Sequence, residues 1–267
     1  MNKNARTATE RGHGTAKGLS LVRGMRRSLT AEEQRGSPGA FKRRAEADLS
    51  FSYVPTKRKV YFAFRFADIM RVNNVRQSGI IGVDEESNPR DFYDRSQWEQ
   101  KSITEPESLK RLMREKVQHS SVVCVLVGTD TWKGRWVKYE IARAVIDKKG
   151  LLSVGINGLP HVATRQPDKP GINPLAIMGV YDGNNGRSYL AEKRWVPTST
   201  PPNQYGWQWF RYDDYTDPVS VPAYLSTKPN SQVTALSEGA RHYDYMVDRG
   251  VVALGSWVDA AAKQVGR

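Results

Sequence analysis

Residues able to do chemistry gather in three short clusters. The longest runs Thr129-Asp130-Thr131-Trp132-Lys133-Gly134-Arg135-Trp136-Val137-Lys138-Tyr139-Glu140. It lies between an apolar run and a helical pattern. Trp136 and Glu140 are four residues apart, so on a helix they share a face. A carboxylate beside a broad aromatic wall can have a raised pKa or meet a cationic reaction centre. The same spacing equally suits a core tryptophan and a solvated glutamate on the first turns of an ordinary helix. The second cluster is Phe64-Arg65-Phe66-Ala67-Asp68, and the third is Phe92-Tyr93-Asp94-Arg95-Ser96-Gln97-Trp98-Glu99. Each follows a strand candidate, and open parallel sheets bind ligands beyond the carboxyl ends of their strands. Convergence there would combine Phe64, Phe66, Trp98 and Trp136 for stacking with Arg65 and Arg135 for phosphates. Asp94 and Glu140 would supply carboxylates for ribose hydroxyls or a developing cation. For Arg65 and Asp94 the competing account is an ordinary structural ion pair.

Other chemistries lack their residues. No Gly-x-Gly-x-x-Gly follows the first strand candidate, and no Gly-Lys-Ser/Thr is present, so the common dinucleotide and triphosphate cradles are missing. His13, His119, His161 and His242 are scattered without metal-ligand spacing, and no metal site is expected. The lone cysteine, Cys124, sits mid-strand as a small hydrophobe rather than a nucleophile, and its solitude fits a reducing, cytoplasmic setting.

The elements that would carry these clusters follow from periodicity. Val60-Tyr61-Phe62-Ala63-Phe64 reads as a buried strand, residues 67–77 as a helix, and Ile80-Ile81 as a very short strand. Thr104 and Pro106 open a helix whose stripe is Leu109, Leu112, Met113, Lys116 and Val117. Ser121 to Val127 is apolar on both faces, as a central parallel strand requires. Residues 136–148 form an amphipathic helix, stopped by Lys148-Lys149-Gly150, and Leu151 to Ile156 is a further strand. Strands alternating with helices predict an α/β fold: a central parallel sheet with helices on both faces. Residues 159–233 are rich in Pro, Gly, Tyr and Trp, with Trp195 to Thr198 an edge strand. The chain then ends in helix, with Tyr245, Val252 and Trp257 available for packing.

The chain divides by composition into a basic N-terminal extension (1–54), a core (55–158) and a C-terminal elaboration of the same domain (159–267). Of the net charge of +13, residues 1–58 supply +8, from thirteen Lys/Arg against five Asp/Glu; the other 209 residues carry 28 against 23. The extension has no apolar stretch of secretory type. A short helix from Thr30 to Asp48 is interrupted by Gly36, Pro38 and Gly39. No aromatics interleave its arginines, so it has no stacking platform and nucleic acid is not the expected partner; a solvated tail is the plain reading, and an electrostatic anchor for nucleic acid or anionic surfaces is the alternative. No run approaches the ~20 apolar residues of a membrane span, so no membrane partner is expected either.

From residue 58 to about 260 the sequence resembles Toll/interleukin-1 receptor (TIR) domains, and more closely the TIR-like ThsB proteins of the Thoeris anti-phage system. The resemblance rests on Val60 to Asp68, Arg71 to Arg76, Phe92-Tyr93-Asp94 with Trp98-Glu99, Ser121 to Gly128, Arg135 to Ile141 and Ser256-Trp257-Val258. It implies a flavodoxin-like TIR fold and cleavage of nicotinamide from NAD⁺. NAD⁺ would be a substrate, with no other cofactor. The glutamate of the TIR helix matches Glu140, which becomes the implied catalytic residue. The product implied is a cyclic or modified ADP-ribose signal that activates a partner effector during infection, with self-association of the TIR domain. Arg65 stands where many members carry histidine. A non-catalytic adaptor acting by self-assembly is the alternative.

Overall fold

Two sheets organise the described residues, one parallel and one antiparallel. A computed structural model describes residues 58–77, 105–198, 204–227 and 229–267. The Ile80-Ile81 strand, the Thr104 cap, the Thr30 helix, Asp94 and Trp98 fall outside the described residues.

The first sheet contains β1 (Val60–Ala63), β2 (Val122–Val127), β3 (Gly150–Gly155) and β8 (His242–Asp244) in that spatial order, every neighbour parallel. Register fixes the site: Phe62 stands opposite Cys124 and Leu152, and Ala63 opposite Val125 and Ser153. Parallel neighbours need long crossovers: α1 (Ile69–Arg76) and α2 (Pro106–Gln118) lie between β1 and β2, α3 (Arg135–Ile146) lies between β2 and β3, and the antiparallel sheet lies between β3 and β8; α4 (Gly250–Lys263) follows β8. This is the α/β, flavodoxin-like architecture expected of a TIR-like chain.

Side chains alternate across a strand, so β2 divides its residues between two cores. Val123, Val125 and Val127 join Val137, Ile141 and Val145 of α3. Val122, Cys124 and Leu126 join Val72 and Val75 of α1 and Leu254, Trp257 and Val258 of α4. Burial of every β2 residue fits its unbroken apolar run. Cys124 is fully buried, which pushes its thiol pKa well above the ordinary value. Trp257 stacks on Tyr243 at 4.2 Å and Tyr245 is buried, as the sequence indicates; Val252 instead points to solvent.

The second sheet, antiparallel in the order β6-β5-β4-β7, is built from β4 (Met178–Asp182), β5 (Ser188–Pro197), β6 (Tyr205–Arg211) and β7 (Thr234–Ala235). Its inner residues Met178, Val180 and Leu190 enter the same apolar cluster as α3. The edge strand read at Trp195 to Thr198 is the end of a longer, interior strand, β5, paired with both β4 and β6. Its extra length escapes the sequence pattern because Ser188, Glu192 and Arg194 interrupt its apolar residues.

Candidate active site

Helix α3 begins at Arg135, with Gly134 extended at its N-cap. Val137, Ile141, Ala144 and Val145 point into the apolar cluster. Glu140 lies among these buried residues and is only 5% exposed, so the solvated alternative does not hold. The Tyr61 hydroxyl on β1 donates a hydrogen bond to Glu140 Oε1 at 2.5 Å. Glu140 Oε2 is buried and, among the described residues, has no hydrogen-bond partner. A buried, unsatisfied polar atom costs about 1–3 kcal/mol and demands an explanation, often a functional one. Burial pushes the Glu140 pKa up to about 8, with the Tyr61 hydrogen bond pulling the other way. Burial first, and then the facing carboxylate, hold the Tyr61 phenol well above its usual range. Glu140 is therefore a carboxyl group balanced near neutrality.

The remaining sequence candidates are distributed around this pair. Trp136, one turn earlier, is half-buried against Leu109 and Met113 of α2 and meets Tyr139 edge-on at 6.3 Å. Arg135 lies 5.2 Å from the Trp136 ring centroid and is clamped by both carboxylate oxygens of Asp214, at 3.0 and 2.7 Å. Lys110 reaches the same carboxylate at 3.3 Å. The Arg135 hydrogen bond, the strongest influence, holds Asp214 below the usual carboxylate range.

Arg65 donates to the Asp130 carbonyl at 3.1 Å, tying the end of β1 to the turn after β2. Lys133 pairs with the Asp130 carboxylate at 2.8 Å and keeps it ionised to lower pH than usual. Asp68, from the same cluster, is buried and bonded to Arg71 at 3.1 Å; Arg71 also bridges to Asp168 at 2.7 Å. Burial raises the Asp68 pKa despite Arg71. Phe66 opens a single 3₁₀ turn and is half-buried.

The sheet edge collects these residues, but its two faces separate them. Tyr61 shares its face with Ala63 and Glu140. Phe64 packs instead into the cluster of α1 and α4, on the opposite face. Tyr61 is the partner that motif reading missed. Its parity with Ala63 was readable, but contact with Glu140 requires knowing which helix covers β1. Asp214 was equally hidden, lying 79 residues from Arg135 in the turn beyond β6. Among the described residues, no group of three or more His, Cys, Asp or Glu is arranged to hold a metal ion, and no helix is long and apolar enough to cross a membrane.

Residues 61–161, from Tyr61 through the whole of α3, match the family model for "Thoeris protein ThsB, TIR-like domain". The segment is similar to a ThsB-type TIR-like domain. The likeness extends beyond it: over 206 residues the chain is 27% identical to "Putative cyclic ADP-D-ribose synthase ThsB1" of Bacillus cereus (strain MSX-D12). That alignment covers 76% of this chain and 99% of the relative. The Tyr61–Glu140 pair joins the first strand of the matched segment to its last helix.

Proposed function

We infer that this chain is a TIR-type enzyme that consumes NAD⁺ and releases nicotinamide, forming a cyclic ADP-ribose signal with Glu140 as its catalytic carboxylate. The carrying observation is the buried Glu140 carboxyl, with one oxygen held by Tyr61 and the other without a partner among the described residues. The name of the Bacillus cereus relative, a cyclic ADP-D-ribose synthase, supports the substrate class.

The chemistry follows from the bond that breaks. Nicotinamide leaves the anomeric carbon with the C–N electron pair and departs neutral, leaving an oxocarbenium-like ribose, as in glycoside cleavage. An ionised Glu140, fixed in a dry setting, stabilises that positive charge and orients the ribose hydroxyls. A nucleophilic nitrogen or hydroxyl elsewhere in the same ADP-ribose then attacks the anomeric carbon and loses its proton, closing a ring. Water attacking instead gives open ADP-ribose. Holding the internal nucleophile close decides between them, because its effective concentration far exceeds what a free reactant can reach. Arg65, Arg135, Trp136 and Phe66 lie on α3 or the sheet edge and are assigned to phosphates and rings of the dinucleotide; Phe64, Asp94 and Trp98 complete the proposed set. The product acts on an effector protein, and self-association of the domain, in the cytoplasm and in anti-phage defence, belongs to the same reading.

The test is incubation of concentrated wild-type protein and Glu140→Gln with NAD⁺, with nicotinamide and product masses followed by chromatography and mass spectrometry. Wild type is expected to release nicotinamide and form a product one water lighter than ADP-ribose; Glu140→Gln is expected to do neither. Equal turnover by both proteins would remove Glu140 from the mechanism. No turnover by wild type, either alone or in lysate from infected cells, would favour the adaptor.

A further inference from the structure

The outer face of the β5–β6 hairpin carries features that NAD⁺ cleavage does not use. Alternation places Tyr189, Ala191, Lys193, Trp195 and Pro197 of β5 beside Tyr205, Trp207, Trp209 and Arg211 of β6. The opposite face carries Leu190 and Glu192, both buried toward the core. Trp209 extends across β4, where a Cβ on Gly179 would stand 3.2 Å from its ring.

The rings form a continuous strip. Trp195 stacks with Tyr205 at 6.5 Å and meets Trp207 at 5.5 Å, and Trp207 meets Trp132 at 5.4 Å. Cations sit directly on it: Lys193 lies 4.8 Å from the Trp209 centroid, Arg211 4.5 Å from Tyr189 and Lys133 5.3 Å from Trp132. Trp195 and Tyr205 are 54% and 56% exposed, an unusual outlay of large rings in water. No Asp or Glu occupies this face of either strand.

We propose that this face binds single-stranded nucleic acid, its rings stacking bases and Lys193 and Arg211 meeting phosphates. Exposed aromatics on a sheet face combined with neighbouring cations are how single strands are held without base pairing. Charge selects this occupant over a second copy of the chain, which would bring Lys193 and Arg211 against themselves with no carboxylate on this face of either strand to offset them. The surface revises the expectation that nucleic acid is not a partner: the stacking platform missing from the arginine-rich residues before 58 is present in the hairpin.

Fluorescence anisotropy with a labelled dT oligomer of about 12 nucleotides, within the usual site size, tests this on the full chain over a salt series. Wild type is expected to bind it and to discriminate against duplex of the same length. Trp195→Ala and Tyr205→Ala should each weaken binding about tenfold. Lys193→Gln and Arg211→Gln should each lower the salt slope by about 0.7. Circular dichroism establishes that the variants fold, and NAD⁺ turnover by the same proteins reports separately on the Glu140 reading. Absence of binding, equal affinity for duplex, or ring variants with wild-type affinity would overturn the proposal; the last would move binding to the arginine-rich residues before 58.

Discussion

The Tyr61 hydroxyl and Glu140 Oε1 are 2.5 Å apart across the contact between β1 and α3, though 79 residues separate them in sequence. This hydrogen bond opposes burial, which otherwise drives the Glu140 pKa upward. Tyr61 therefore acts as a positioning residue that favours the ionised carboxylate.

NAD⁺ turnover should rise with pH through about 8, as Glu140 ionises. Tyr61→Phe removes a contact that lowers this pKa, so its profile should move to more alkaline pH, with lower activity at neutrality. Initial rates across a pH series check both; an unmoved profile in Tyr61→Phe would sever the coupling.

Glu140→Gln should gain stability relative to wild type as pH rises. The folded pKa of about 8 lies above the ordinary 4.5, so the folded state retains a proton that the unfolded state releases. That contribution is complete below about 4.5 and disappears as pH rises through about 8. Across the window, wild type loses about 1.4 kcal/mol per pH unit from this group, whereas glutamine loses none. Thermal melts of the two proteins at pH 6 and 8 should diverge by several degrees, at ~2–4 °C per kcal/mol.

Gly128→Ala should destabilise the carboxyl end of β2. A Cβ there would lie 2.3 Å from Asp68 Oδ2, and Asp68 cannot swing away without leaving Arg71. Overpacking of this kind costs about 1–3 kcal/mol. Urea denaturation should show a lower midpoint at an unchanged slope.

Glu192 couples the second sheet to α3. It is buried, accepts from Lys138 of α3 at 2.9 Å and is bonded to Arg194 at 2.6 Å. Glu192→Ala leaves the Lys138 ammonium without this partner and should cost about 3–5 kcal/mol, whereas Lys138→Met with Glu192→Leu should cost far less. A double-mutant cycle measured by chemical denaturation checks the coupling; additive losses would show the pair to be independent.

The sequence by itself determined the local elements and singled out Glu140 as the candidate carboxylate. The unbroken apolar run of β2, the 3- and 4-residue stripe of α2 and the strand–helix alternation require a parallel sheet with helices packed on its faces. Near-neighbour spacing also marked Trp136 and Glu140, because a helix places residues four apart side by side. Only tertiary structure decided the rest. The facing of β1 and α3 buried Glu140 and supplied Tyr61, while strand parity sent Phe64 to the opposite face. Pairing of β5 with β6 assembled the aromatic and cationic strip from residues that read as irregular along the chain. Propensity and periodicity act over a few residues and are written in the sequence. Burial, partner choice and pKa depend on contacts between distant segments, which exist only once the sheets have packed.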